Sequence, residues 1–180
     1  MRSTIIIMSA DDKKIIVVAV SGGFDPLHIG HVRMFEEAKK LGDKLVVILN
    51  NDHWLKKKKG FVFMPASERQ ELIANIKWVD EVILTAHGPE PDDMSVCAEL
   101  AQIKPDIFAN GGDRKADNIP EVTVCEAQGT QLIFNIGHGG KVQSSSWLLA
   151  AYLGEAPCPC GATTSDGTPI KYGQCHGKKE

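Results

Sequence analysis

Two histidines three positions apart are the first feature of this sequence that could do chemistry. They stand at the end of the glycine-rich stretch from Ser21 to His31, as His28-Ile29-Gly30-His31. Glycines let a backbone come close to a ligand, and a helix N-terminus offers unpaired N–H groups and a partial positive charge. Imidazoles placed there can donate hydrogen bonds to phosphate oxygens. The stretch therefore predicts a phosphate-binding turn, in which Gly30 leaves room for the ligand to pack between His28 and His31.

A second group of side chains, near the end of the chain, has the types and spacing of metal ligands. Cys158 and Cys160 form one pair, and Cys175 and His176 form the other. Three thiolates and one imidazole are a standard tetrahedral zinc set, and four protein ligands leave no open position for catalysis. We therefore expect a structural Zn²⁺ here, with a disulfide or free thiols as the alternative.

The elements that must position these residues alternate along the chain. Strands are expected at 15–20, 44–49, 81–84, 106–109 and 131–136. Helices are expected at 31–41, from a Ser67 capping box onward, and at 92–104, 120–128 and 144–153. This order predicts an α/β fold, a Rossmann-like open parallel five-stranded sheet with helices on both faces. Ligands bind such sheets at the carboxyl ends of the strands.

The chain divides into three parts by composition. Residues 1–14 form an N-terminal extension, 15–153 form the domain with alternating strands and helices, and 154–180 form the zinc-binding tail. The tail is poor in hydrophobic residues and too short to build a core of its own, so it needs a metal or a disulfide. Within the expected helix from Ser67, Leu72, Ile73 and Ile76 are assigned to the buried face.

Composition excludes several classes of function. The 180 residues include 43% hydrophobic ones and carry a formal net charge of −3, so a nucleic-acid partner is not expected. The longest early apolar run, residues 5–8, is far shorter than a membrane span and is followed by acidic residues without a cleavage site. Five cysteines, three of them clustered in the tail, do not form a disulfide framework. We expect a cytoplasmic protein with no membrane partner.

The stretch from Gly23 to His28, with Lys40-Leu41-Gly42-Asp43 and Val79 to Ile83, resembles the cytidylyltransferase-type nucleotidyltransferases, whose signature is an H-x-G-H motif. Residues 18–149 are similar to the glycerol-3-phosphate cytidylyltransferases and to the adenylyltransferase domain of ADP-heptose synthase. The resemblance implies that CTP or ATP donates a nucleotidyl group to a small phosphorylated alcohol or sugar. Mg²⁺ is expected to bridge the phosphates, and pyrophosphate is released.

The resemblance also implies roles for individual residues. His28, His31 and one lysine of the run 56–59, taken as Lys58, stabilise negative charge in the transition state. The expected nucleotide-binding residues follow the first strand, lie in the first turn of the helix that begins at Ser67, follow the fourth strand and begin the last helix. They are Gly23, Phe24, Asp25, Gly30, Arg69, Gly112, Asp113, Ser144, Ser145 and Ser146. Trp54 and Trp78 are assigned to packing.

Some positions depart from the family pattern. The closing motif has Lys141-Val142-Gln143 where many relatives have an arginine or a glycine ahead of an isoleucine. The run Gly111-Gly112-Asp113 is closer to the adenylyltransferase domain of ADP-heptose synthase than to the cytidylyltransferases, which favours ATP. The tail resembles the SEC-C zinc-binding motif, with a longer gap between its two ligand pairs.

Two other functions compete with this interpretation. The tetrad His28 to His31 also opens the catalytic domain of class I aminoacyl-tRNA synthetases, but their lysine-rich second signature and tRNA-binding domains are absent from these 180 residues. The other alternative is a catalytically quiet nucleotide-binding module whose zinc tail recruits a partner protein. Members of the nucleotidyltransferase family that the chain resembles are often homodimers, so a homodimer is a further expectation.

Overall fold

The computed structural model describes residues 14–112, 114, 119–137 and 144–176. Their centre is a parallel sheet of five strands, β1 to β5 in chain order. The strands are Val17–Gly22, Lys44–Leu49, Glu81–Leu84, Ile107–Gly111 and Gln131–Ile136. Their spatial order is β3-β2-β1-β4-β5, with Val17 opposite Lys44 and Gly22 opposite Leu49. The predicted Rossmann-like α/β fold is confirmed.

In the described part of the chain, six α-helices, α1 to α6, connect or follow the strands. They are Ile29–Lys39, Asp52–Lys59, Ala66–Ala74, Cys97–Ile103, Val122–Gln128 and Ser145–Leu153. Helix α2 was not among the helices expected from the sequence, because the last four of its eight residues are consecutive lysines and show no apolar periodicity. Helix α3 begins at Ala66 after Pro65 with no side-chain cap, so the predicted Ser67 capping box does not form. None of the described helices has the length and apolarity needed to cross a bilayer.

Side chains on the two faces of the sheet enter two separate hydrophobic clusters. Val18 and Val20 of β1 pack with Phe35 of α1 and Ile73 of α3. Between them in sequence, Ala19 points to the opposite face, where Leu100 of α4 and Cys125 of α5 lie. Successive side chains of β1 thus point to opposite faces of the sheet, and helices pack on both faces, as predicted. On α3, Ile73 is fully buried but Leu72 is 47% exposed, so the inner face of this helix is narrower than expected.

The tail is held together by short-range pairing. Pro157 and Lys171 form an antiparallel bridge, and the Cys158 amide donates to the Ile170 carbonyl at 2.8 Å. This pairing brings the two ligand pairs side by side and loops out the residues between them. A 3-10 helix, Tyr172–Gln174, follows and packs against α6.

A buried arginine joins the loops at the carboxyl edge of the sheet. The side chain of Arg69 is completely buried, and its Nη1 donates to the carbonyls of Gly23 and Asn50, both at 2.7 Å. Its Nε donates to the Met64 carbonyl at 2.8 Å, and its Nη2 pairs with Asp52 at 2.6 Å. One guanidinium therefore fixes the ends of β1 and β2 relative to α2 and α3.

We expect Arg69→Met to destabilise the protein by roughly 3 kcal/mol or more, because one buried and two part-buried carbonyls lose their partner while side-chain volume is nearly kept. Denaturant unfolding measures the effect. Glu71→Ala on the exposed face of α3 is the matched control and should stay within about 0.5 kcal/mol of wild type. An equal, small effect of both substitutions would contradict this role of Arg69.

Candidate functional site

A cavity of about 370 Å³ opens at the carboxyl edge of the sheet, where the strand order reverses between β1 and β4. This is the position at which open parallel sheets bind ligands. Its walls come from the ends of β1, β4 and β5, from α2, and from the N-terminal turns of α1 and α6. The lining residues are Ser21, Gly22, Gly23, Phe24, His28, Gly30, His31, Met34, Trp54, Lys59, Asn110, Gly111, Gly112, Arg114, Ile136, Gly137, Ser144, Ser145 and Ser146.

Both predicted histidines lie in this cavity and stack on each other. Their ring centroids are 3.6 Å apart, and the ring planes differ by 21°. The Phe24 ring meets the His31 ring edge-on at 4.9 Å and limits its rotation. Gly22 makes this packing possible, because a Cβ there would lie 2.8 Å from the Phe24 ring. The strand end and the aromatic side chain thus fix the orientation of the histidine pair.

The hydrogen bonds of the rings show where they can donate. The backbone N–H of His28 donates to Nδ1 of His31 at 3.3 Å, so the proton of a neutral His31 ring sits on Nε2. The Nδ1 atom of His28 is buried and has no hydrogen-bond partner among the described residues. A buried polar atom without a partner is costly. A ligand that bonds to it would remove that cost.

Burial keeps the histidine pair neutral. Desolvation, with smaller contributions from His28 and Lys59, lowers the pKa of His31 from 6.5 to about 3. Desolvation and the nearby Lys59 also lower the pKa of His28. At pH 7 the rings are therefore neutral N–H donors rather than cations.

Lys59 supplies the cation on the α2 side of the cavity. Its Nζ donates to the Asp25 carbonyl at 2.6 Å, and burial lowers its pKa. The predicted Lys58 is exposed and does not line the cavity. The difference arises because the lysine run is helical, and successive residues of a helix point about 100° apart. Within the run 56–59, the structure assigns the inward position to Lys59 instead of Lys58.

Two further predicted nucleotide-binding residues have structural roles. Asp25 is fully buried, and its carboxylate accepts from the backbone amides of Phe63 and Met64 at 2.9 and 2.7 Å. The Arg69 guanidinium donates to three backbone carbonyls and pairs with Asp52, as described above. Neither lines the cavity. Both support the loops beneath it, Asp25 through backbone amides and Arg69 through backbone carbonyls, and their contact with a nucleotide stays a prediction.

The remaining predicted residues are found at the cavity or fall outside the described chain. Gly23, Phe24, Gly30, Gly112, Ser144, Ser145 and Ser146 line it. Ser144 caps α6 by accepting from the Trp147 amide at 3.2 Å, and Ser145 donates to the Pro26 carbonyl at 2.9 Å. Asp113 and residues 138–143 lie outside the described residues.

Sequence reasoning missed three polar or aromatic lining residues. Arg114 reaches back to β1, with its Nη1 3.5 Å from the Ser21 hydroxyl. Asn110 is the next-to-last residue of β4 and also lines the cavity. Trp54 lines the cavity while its Nε1 donates to the Met94 carbonyl at 2.8 Å, so the assignment of Trp54 to packing was incomplete. Asn110 directly follows the predicted strand 106–109, and this position was a signal that could have identified it. Trp54 and Arg114 lie several residues beyond the predicted strands, where no comparable signal exists.

The four predicted metal ligands come together in the tail. All four ligand atoms lie within 4.8 Å of one another. Cys158 Sγ is 3.2 Å from His176 Nδ1 and 3.4 Å from Cys160 Sγ, and Cys175 Sγ is 3.7 Å from Cys160 Sγ. Zinc–sulfur bonds of about 2.3 Å arranged tetrahedrally place sulfurs about 3.8 Å apart. The cluster therefore has the donor set and nearly the dimensions of a tetrahedral metal site, and its cysteines form no disulfide.

The neutral histidine pair makes stability depend on pH. A folded-state pKa below the unfolded value contributes stability that is complete above the unfolded pKa and is lost as pH falls. We expect the free energy of unfolding to decrease as pH drops from 6.5 toward the folded pKa of about 3. His31→Gln should reduce this slope by at most about 1.4 kcal/mol per pH unit between roughly pH 6.5 and 4.5. Denaturant titrations across that range measure it, and an unchanged slope would contradict a neutral buried His31.

Comparison with known proteins supplies the family. The family model described as Cytidylyltransferase-like matches residues 19–128. The FAD synthase of Pyrococcus abyssi is 40% identical over 101 residues, which cover 56% of this chain and 65% of that protein. The FAD synthase of Pyrococcus horikoshii is 40% identical over 107 residues, which cover 59% and 68% of the respective chains. The match thus spans about two thirds of the length of these relatives.

A solved structure agrees with the sequence matches. The lipopolysaccharide core biosynthesis protein from Thermoplasma volcanium GSS1 superposes with a TM-score of 0.55 at 33% identity, covering 68% of this chain and 97% of that one. The matched family segment runs from β1 to the end of α5, and so contains the histidine pair, Lys59 and the ends of β1 and β4. The chain is a member of the cytidylyltransferase-like family.

Proposed function

We propose that this protein is a nucleotidyltransferase that uses ATP as donor and FMN as acceptor, the reaction of an FAD synthase. The observation that carries the proposal is the cavity at the carboxyl edge of the sheet, where neutral imidazoles, a lysine and a helix N-terminus converge. The FAD synthases of two Pyrococcus species support the choice of donor and acceptor. The earlier options, CTP and a phosphorylated alcohol or sugar, become alternatives to be tested.

The reaction needs little from the protein except position and charge. A phosphate oxygen of the acceptor attacks the α-phosphorus of the triphosphate, a new P–O–P linkage forms, the bond to the β-phosphate breaks and pyrophosphate leaves with the electron pair. The attacking phosphate is already ionised, so no general base is required. This requirement fits a site whose described lining contains hydrogen-bond donors and cations but no carboxylate.

Each lining group has a role consistent with its geometry. We assign His28 and His31 to hydrogen bonds with phosphate oxygens, because neutral imidazoles donate without the desolvation cost of a cation. Lys59 and Arg114 balance the charge of the triphosphate, and the first turn of α6 receives its outer phosphates. If Mg²⁺ binds together with the nucleotide, it would neutralise charge on the phosphates; the described lining contains no carboxylate to hold it.

Pyrophosphate release tests the donor and the acceptor together. With Mg²⁺, we expect release with ATP and FMN, and little with CTP or with glycerol 3-phosphate or a heptose phosphate. Release that requires one of those alternatives would replace the proposed substrates. Binding of a triphosphate without release under any acceptor would favour the catalytically quiet module.

A pair of adjacent substitutions tests the lysine assignment. Lys59→Met removes a cation from the cavity and should lower kcat/KM by about 10²-fold or more, the usual cost of one charge-stabilising donor. Lys58→Met changes an exposed neighbour on the same helix and should leave kcat/KM nearly unchanged. A larger loss in Lys58→Met would reverse the assignment made from the structure.

We also propose that Cys158, Cys160, Cys175 and His176 hold one structural Zn²⁺. The ion would cross-link the two ends of the tail, which has few apolar residues to pack. Metal analysis of the purified protein should give about one zinc per chain, and Cys158→Ser should lose it. The buried Cys125, which lies in the sheet core, provides the control: Cys125→Ser should retain the metal. Wild-type protein without zinc would contradict the site.

A further inference from the structure

The Cys/His cluster of the tail lies directly against the C-terminal end of α2, the helix that carries Lys59. Gly60 ends α2 in the left-handed conformation, with a φ of 77°. A Cβ at this position would lie 2.5 Å from Cε1 and 2.6 Å from Nε2 of His176, and 3.2 Å from the Cβ of Cys160. The Cε1–Nε2 edge of the His176 ring therefore lies against the backbone next to Lys59.

The residue after Gly60 extends this contact into a small hydrophobic cluster. Phe61 is 7% exposed and packs with Leu149 of α6 and with Cys158 and Tyr172 of the tail. Its ring meets the Tyr172 ring edge-on at 5.8 Å and lies 6.2 Å from the His176 ring. One side chain thus connects the end of α2, the middle of α6 and the tail.

The tail also fixes the far end of α6. The Gly173 amide donates to the Gly154 carbonyl at 3.0 Å, and the Tyr172 amide donates to the Ala156 carbonyl at 2.8 Å. Among the regular elements in the described part of the chain, the 3-10 helix Tyr172–Gln174 is the main packing partner of α6. The opposite end of α6 presents Ser144 to Ser146 to the cavity.

We propose that the metal-loaded tail positions Lys59 and the first turn of α6, two groups that line the cavity beside the Asp25-Pro26 backbone, for binding the triphosphate. This inference rests on the proposed function, because it concerns the triphosphate site. Metal coordination fixes His176 and Cys158, and these residues in turn fix Gly60, Phe61 and α6. The phosphate-binding groups are then preorganised, which lowers the entropic cost of binding.

The tail is separate from the cores that stabilise the sheet. The two clusters on the faces of the sheet contain no residue of the tail among the described chain, whereas Phe61 and Leu149 belong to the cluster of the tail. Loss of the metal should therefore loosen α6 and the end of α2 and leave the sheet folded. This separation distinguishes a positioning role from general stabilisation.

Gly60→Ala tests the contact with a matched control. The added methyl group would meet His176, whose ring can yield when it is free but not when a metal holds it. Gly129 also ends a helix in the left-handed conformation, at a φ of 76°, but a Cβ there meets nothing within 4 Å. Gly129→Ala thus reproduces the backbone strain without the contact. We expect Gly60→Ala to weaken both zinc and Mg-ATP binding about tenfold, and Gly129→Ala to change neither.

Calorimetric titration with Mg-ATP and a metal-buffer competition measure these affinities without relying on turnover. Cys158→Ser provides the second variant: it should lose zinc and raise the KM for ATP more than it lowers kcat. In hydrogen-exchange measurements, Cys158→Ser should show less protection than wild type at residues 59–61 and 145–153, and the same protection in the strands.

The outcomes separate this inference from the proposed function. If wild-type protein binds Mg-ATP and the zinc-free Cys158→Ser variant binds it equally well, the positioning role is overturned and the proposed function stands. If metal loss unfolds the strands as well, the tail is a general stabiliser, and the positioning role is again overturned. If zinc-loaded wild-type protein does not bind Mg-ATP, both proposals fail together.

Discussion

The buried guanidinium of Arg69 is the interaction on which the candidate site depends most. Parallel strands end in loops that have few hydrogen-bond partners of their own, and here three carbonyls from different loops turn toward one side chain. A planar group with five donors can satisfy all of them and still pair with Asp52. The loop after β1, the start of α2 and the loop before α3 are therefore held in one arrangement. The cavity is formed between the elements that these loops position.

Within that arrangement, desolvation determines the character of the cavity. It keeps His31 neutral and lowers the pKa of Lys59, so the site holds strong donors with limited fixed charge. An anionic ligand would interact strongly with these donors, because electrostatic attraction is stronger where water is excluded. The Nδ1 atom of His28 is buried as well and has no hydrogen-bond partner among the described residues, so without a ligand it lowers the stability of the fold. Stability and ligand affinity are thus linked through the same two rings.

The tail extends this organisation to a segment that could not fold by itself. Its few apolar residues pack against Phe61 and Leu149, which belong to elements that face the cavity. The four ligand side chains lie beside this cluster, close to Gly60. A metal ion bound by them would stabilise the tail with four coordination bonds in place of an apolar core. The consequence is a physical connection between the tail, the end of α2 and α6.

The sequence by itself determined the five strands, their parallel direction in one sheet and the edge of the sheet at which polar residues gather. Buried β-branched strands that alternate with amphipathic helices allow few other folds. It also identified the histidine pair and the four tail ligands, whose spacing is local. Only the tertiary structure decided that Lys59 faces the cavity while Lys58 faces solvent, and that Arg69 serves the loops. The direction of a side chain depends on helix phase and on neighbours distant in sequence, such as Asp25 and Gly23. No local pattern contains that information.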